Sequence, residues 1–125
     1  MSYEYYLVLS CALVSLIYGA ITSKQILSAP EGSDKMKEIA KAIQEGAQAY
    51  LNRQYGTIAI VGLIITVVLY YGIDSLVSIG FVIGAFLSGL AGYIGMFVSV
   101  RANIRTTEAA KIGVQPALDI SFKSG

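Results

Sequence analysis

The chain has 125 residues, 55% of them apolar and only 14% charged, where soluble domains average about a quarter charged. Nine Lys/Arg against eight Asp/Glu leave a net charge of +1, so the balance gives no support to a nucleic-acid partner. A single cysteine excludes an intramolecular disulfide, and the lack of histidine removes the commonest acid–base side chain.

The first apolar run, Tyr5 to Ser23, is free of charge for about 19 residues, close to the ~20 that cross a bilayer core. It predicts a span over about 3–23. Tyr3, Tyr5 and Tyr6 mark its outer end, where a ring that is apolar with a wet hydroxyl favours the interface. Glu4 precedes the run and the basic residues follow it, the pattern of a retained anchor inserted N-terminus out rather than of a cleaved signal. Cys11, inside this span, reads as a small packing residue.

Ser28 to Ser33 is a turn: Pro30 and Gly32 break helix, and Ser33 or Asp34 can cap the next one. From Asp34 the pattern is amphipathic. Met36, Ile39, Ile43, Ala47 and Tyr50 step by three and four, with Lys35, Lys37, Lys41, Glu45 and Gln48 on the wet side and Lys41–Glu45 placed as a surface pair. Gly46 and Gly56 can bend the helix without ending it. One helix is predicted from about 34 to 73, roughly 60 Å long, of which only the span over 54–73 fits in lipid.

Tyr70, Tyr71 and Gly72 close that span, and the short link at Asp74 makes spans two and three an antiparallel hairpin. Span three covers 75–100, charge-free for about 26 residues, and its helix is expected to reach about 111 before Gly113 and Pro116 stop it. Beyond it, Leu118, Ile120 and Phe122 alternate in a segment too short to classify.

All nine basic residues lie on one side of these runs: Lys24, Lys35, Lys37, Lys41 and Arg53 between the first two, Arg101, Arg105, Lys111 and Lys123 after the third. Such bias sets how a membrane protein threads. The fold class is therefore all-α: a polytopic membrane protein with three transmembrane helices, N-terminus outside, C-terminus inside, and helices two and three extending into the cytoplasm.

Span three carries a stripe of small residues, Gly80, Gly84, Ser88, Gly92 (or Ala91), Gly95, Ser99 and Ala102. In lipid, apolar burial does not drive helices together, so close backbone approach decides their association. The stripe from Gly80 to Ser99 is thus the candidate helix-packing face. No span holds a carboxylate or a base, which argues against ion transport by this chain alone. Arg101 and Arg105, one turn apart near the inner boundary, have two readings: a snorkelling, topology-setting helix end, favoured as the simpler, or guanidinium contact with an anion. Glu38, Glu45 and Asp119 are not spaced as a metal cage, and no phosphate loop or nucleophile elbow is present.

Two stretches together, Ile43–Ile58 (IQEGAQAYLNRQYGTI) and Gly84–Ala110 (GAFLSGLAGYIGMFVSVRANIRTTEAA), with the tail Ala117–Gly125 (ALDISFKSG), resemble the N-terminal region of membrane-bound, ion-translocating pyrophosphatases. The resemblance covers nearly the whole chain, 1–125. It implies a multi-pass enzyme of the cell membrane that hydrolyses pyrophosphate on the cytoplasmic side and pumps protons or sodium ions outward. It also implies homodimers of many-helix subunits, and magnesium, with potassium as a second candidate, as cofactor of the intact enzyme. The family's catalytic carboxylates, Asp-rich magnesium motifs and ion gate lie in later spans, so no catalytic, cofactor-binding or metal residue is assigned here. The matched helices correspond to outer-ring scaffold helices, and the chain alone is expected to be inactive. Its expected partners are membrane lipid, the remaining helices of the pump and, for the intact enzyme, pyrophosphate. The alternative is a stand-alone, non-enzymatic membrane protein that packs on partner helices through the Gly80–Gly95 face.

Overall fold

The computed structural model describes residues 2–125, and among them the fold is four helices with no strand. Helix α1, Tyr3–Leu27, runs past the expected end of its span because Lys24 is accommodated in the last turn, where a cation suits the helix's negative end. The Ser28 N–H donates back to Lys24 O (3.1 Å) and the Ser28 hydroxyl to Gln25 O (2.9 Å), closing the helix. The turn that follows passes through Gly32 at φ +91°, a left-handed conformation that glycine adopts without steric cost. Ser33 then caps α2, its Oγ accepting the Met36 N–H at 3.3 Å.

Helix α2, Asp34–Gly72, is one unbroken element of 39 residues, about 58 Å long, with Gly46 and Gly56 inside it as expected. Both Ile73 N–H and Asp74 N–H donate to Leu69 O, and α3, Ser75–Ala110, starts at once. After a short turn at 111–113 the tail forms α4, Val114–Ser124. Pro116 does not prevent this, because it sits in the first turn, where its missing N–H would have no helical partner. The alternation of Leu118, Ile120 and Phe122 is thus carried on a helix: Ile120 packs inward, while Leu118 and Phe122 are exposed.

Helices α2 and α3 pack as an antiparallel hairpin, and α4 folds back along α3. Helix α1 packs on α3 and α4 but not on α2, and residues 2–21 are exposed throughout. What holds α1 is a small cluster at the end of the molecule that carries the basic residues: Ile26, Val98 and Ala102, with Ile120 against them. Three of the helices are long and apolar enough to cross a membrane, and almost none of their apolar surface is covered by one another. Such a chain cannot bury its apolar surface in water, but in lipid those faces need no cover.

The packed face of α2 differs from the expected stripe by about one residue. Ala40 and Leu51 are buried and Met36, Ala47 and Tyr55 partly so, whereas Ile39, Ile43 and Tyr50 are more than half exposed. Small Ala40 lets the backbones approach, and Ile39 and Ile43 instead line a shallow apolar groove of about 210 Å³ with Val100, Ile104 and Thr107 of α3. Gln48, assigned to the wet side, faces α3.

Candidate functional site

The chain's polar groups converge where the basic ends of α1 and α3 meet. Arg105 projects from α3 and is only 6% exposed, the most buried charge among the described residues. The end of α1 leaves carbonyls without helical partners, and the guanidinium fills that need. Nε donates to Ala29 O (3.2 Å), Nη2 to Leu27 O (2.9 Å) and to Glu31 Oε1 (2.8 Å), and Nη1 to Arg101 O (2.7 Å). Arginine suits the task because it offers five N–H donors in a fixed plane and keeps its charge when desolvated. With its fork spent on three carbonyls and one carboxylate, Arg105 is a clasp between the α1–α2 turn and α3.

The topology-setting part of the sequence reading is unaffected, but snorkelling and anion contact do not describe this residue. It does not snorkel, since it is buried, and it is not free to take an anion, since its donors face the protein. Its partner Glu31 lies 74 residues away in sequence, a distance at which no local pattern can signal a pair. Arg101 behaves differently. It folds back over Phe97, its Cζ 3.5 Å from the ring centroid, with Nη1 donating to Phe97 O at 3.2 Å.

Beside the clasp, Glu108 lies over Gly32: a Cβ there would fall 2.5 Å from Glu108 Oε2 and 2.8 Å from Met36 Sδ. Glu108 Oε2 is 2.9 Å from Lys111 Nζ, an ion pair without the alignment of a hydrogen bond. These two pairs, Arg105–Glu31 and Lys111–Glu108, are the ion pairs among the described residues. The expected Lys41–Glu45 pair is not formed, its members extending from α2 into solvent.

A second polar band ties α2 to α3. Gln48 Nε2 donates to Tyr93 OH and to Asn52 Oδ1 (3.0 Å), and Tyr55 tilts against Tyr93 at 6.0 Å between ring centroids. Tyr55 lies over α3 where Gly89 and Gly92 leave room; a Cβ on Gly92 would come within 2.7 Å of its hydroxyl. Further along the hairpin the buried Ser78 hydroxyl donates to Thr66 O at 3.1 Å. Of the candidate packing residues, only Gly92 touches another helix of this chain in this way. Gly80, Gly84 and Gly95 have no atom within 4 Å of where a side chain would begin, and Ser88 and Ser99 are exposed. Gly92 apart, the glycines of the stripe do not meet α2.

Among the described residues no three His, Cys, Asp or Glu side chains come together to hold a metal. Glu31 and Glu108 are engaged with Arg105 and Lys111, while Asp34, Glu38, Glu45 and Asp119 are spread over separate turns of α2 and α4. The donor set present does not fit magnesium. The arrangement fixes helices to each other.

Comparison with known proteins places this framework. Residues 13–125, from within α1 to the end of α4, match the family described as inorganic H+ pyrophosphatase. The chain belongs to the membrane-bound pyrophosphatase family. It represents the N-terminal region of that family. A K(+)-insensitive pyrophosphate-energized proton pump of Methanosarcina mazei is 49% identical over 115 residues, covering 90% of this chain and 17% of that protein. One of Caldanaerobacter subterraneus is 41% identical over 138 residues, with 91% and 19% covered. The pyrophosphate-energized membrane proton pump 3 of Arabidopsis thaliana is 33% identical over 132 residues, with 90% and 16% covered. The chain thus spans less than a fifth of the length of these relatives. With three helices long and apolar enough to cross a membrane, and membrane pumps as relatives, it is a membrane protein.

Proposed function

We propose that this chain is the N-terminal portion of a pyrophosphate-energized proton pump, and that it supplies scaffold helices while the hydrolytic site and ion path come from other spans. The observation that carries the reading is 49% identity to a proton pump over 90% of the chain but only 17% of that pump. The charge-free spans and the lack of a metal-holding carboxylate cluster among the described residues support the scaffold role. Two relatives are named as K(+)-insensitive proton pumps, which favours protons over sodium and potassium-independent turnover in the intact enzyme. Any magnesium of the intact pump would be held by residues of other spans, where it would supply charge neutralisation of pyrophosphate and activation of water. The residues of this chain position helices and touch neither. The intact enzyme is a homodimer in the cell membrane, with the basic end of these helices in the cytoplasm.

The test has two arms. The purified 125-residue chain, assayed with magnesium and pyrophosphate, is expected to release no phosphate above background; turnover would overturn the scaffold role. Co-expressed with the Methanosarcina mazei pump lacking its matching segment, it is expected to restore pyrophosphate-driven proton uptake into vesicles. Failure there, when that pump's own segment supplied separately does restore uptake, would overturn the assignment.

A further inference from the structure

We propose that the part of α2 from Ile39 to Tyr50 stands clear of the bilayer on its inner side and seats an amphipathic helix from the remaining spans of the pump, one whose acidic residues meet Lys35 and Arg53. The inference rests on the chain being part of a longer pump, and it adds the surface by which that partner is held.

The level of the membrane comes first. Residues Gln54 to Ile73 of α2 are free of charge, and at about 1.5 Å per residue they fill the roughly 30 Å of hydrocarbon by themselves. The charge-free stretch of α3, Ser75 to Val100, is longer, about 39 Å. A lone helix absorbs such an excess by tilting. Here the two helices pack side by side from one turn at Asp74, so they share a tilt. Their register is set by Gln48, which donates to Tyr93, and by Tyr55, which lies over Gly89 and Gly92. Arg53, between Gln48 and Tyr55, is therefore level with the stretch Gly89–Tyr93, and the lipid boundary crosses the hairpin there. Arg101 stands at least eight residues, about 12 Å, farther along α3. Exposed Glu45 occupies that interval, lying between Gln48 and the Ile43 that meets Val100 in the groove. The interval is aqueous.

Past that level α2 carries apolar surface that α3 does not cover. Ile39, Ala42, Ile43, Gly46 and Tyr50 share one face at helical spacing, and all are exposed, Ile39, Ile43 and Tyr50 by 55%, 51% and 59%. The face taken by α3 is a different one, that of Ala40 and Leu51. In lipid an apolar strip needs no cover, but in water its exposure is unfavourable. The strip runs for about three turns beside the groove formed with Val100 and Ile104. Small Ala42 and Gly46 at its middle leave room for the ridge of a second helix lying along it.

The charges choose the occupant. At about 100° per residue, Lys35 and Arg53 fall on this face at its two ends, about 27 Å apart, while Glu38, Lys41 and Glu45 lie a quarter turn or more around the helix. Neither end residue is in an ion pair among the described residues. A second copy suits the face poorly. Two copies threaded alike are related by an axis along the membrane normal, so their α2 helices would run parallel and set Lys35 against Lys35 and Arg53 against Arg53. A helix from the same pump has no such constraint, and relatives more than five times this length have the chain to supply it.

The test uses single cysteines in the full chain, with Cys11→Ala as background, reacted with a membrane-impermeant maleimide. In nanodiscs, Ser99→Cys and Ile43→Cys are expected to react and Gly84→Cys is not. An unreactive Ser99→Cys would put the lipid boundary beyond Val100 and overturn the proposal. Protection of Ile43→Cys in the chain alone, with disulfide-linked copies, would give the face to a second copy and overturn it too. In complex with the Methanosarcina mazei pump lacking its matching segment, the rate at Ile43→Cys is expected to fall roughly tenfold, as at an interface that excludes water, while Lys41→Cys keeps its rate. Equal rates at 43 and 41 in a complex that co-purifies would overturn the docking face and leave the family reading standing. Lys35→Glu with Arg53→Glu is expected to cut co-purification roughly tenfold, and the matched pair Lys37→Glu with Lys41→Glu to leave it unchanged. Equal effects of the two pairs would contradict the acidic partner. If the unaltered chain fails to co-purify where the pump's own segment succeeds, the proposed function falls and this inference with it.

Discussion

Arg105 carries more of the fold than any other single residue. Removing one partner of a buried, hydrogen-bonded charge network leaves the rest desolvated and unpaired, which costs about 3–5 kcal/mol. Arg105→Ala is therefore expected to lower stability by that order in a detergent-unfolding titration. Arg105→Lys is expected to recover only a part, since an ammonium lacks the planar fork that reaches Leu27 O, Ala29 O and Glu31 together. Glu31 is 38% exposed and solvent screens it, so Glu31→Gln is expected to cost about 1 kcal/mol or less. An equal loss for Glu31→Gln and Arg105→Ala would mean that the ion pair, not the capping of α1, is the source of stability. Gly32 makes an independent case. Its φ of +91° opposes a side chain, whereas the flexible ends of Glu108 and Met36 that face it can move aside, and Gly32→Ala is expected to lose about 1–3 kcal/mol by the same titration.

At the level of helices, the small-residue stripe of α3 separates two kinds of glycine. Gly80, Gly84 and Gly95 meet nothing in this chain, whereas Gly92 lies under the Tyr55 hydroxyl. In the isolated chain, Gly80→Ala and Gly84→Ala are expected to be neutral or to favour the helix by up to about 1 kcal/mol. Gly92→Ala is expected to displace Tyr55 and weaken the α2–α3 hairpin, visible as altered tyrosine fluorescence and a lower unfolding midpoint. If the stripe is a seat for further helices of a pump, Gly84→Ala will also reduce reconstitution with the truncated relative. A variant that leaves both stability and reconstitution unchanged would remove the stripe's proposed role. The extents of α2 and α3 were legible in the sequence because charge-free length, a Ser cap and a short link at Asp74 are local signals. Register was not. Whether α2 turns Ile43 or Ala40 toward α3 depends on where a glycine and a tyrosine fit across the gap, and periodicity alone is broad enough to allow either. Gln48 was misplaced for the same reason: its partner Tyr93 is on another helix. Helix α4 escaped recognition because eleven residues with a proline near the start carry too little periodic signal.

For the whole molecule, what the sequence announced best was its medium. Apolar length and one-sided charge are sums over many residues and survive errors at any one of them, whereas the clasp depends on one residue, Arg105, reaching partners 74 to 78 positions away. The family match over 13–125, to relatives more than five times longer, supports the proposal that these helices pack with others. On that proposal, further helices would cover α1, which is held only at one end, and the glycines of α3 that meet nothing in this chain. The threading proposed for the chain requires its lysines and arginines to share the inner compartment. The direct measurement is a pair of topology reporters, one beside Asp74 and one after Gly125, expressed in cells. The account predicts opposite compartments, with the Gly125 reporter inside and the Asp74 reporter outside; both reporters in one compartment, or their positions exchanged, would contradict it.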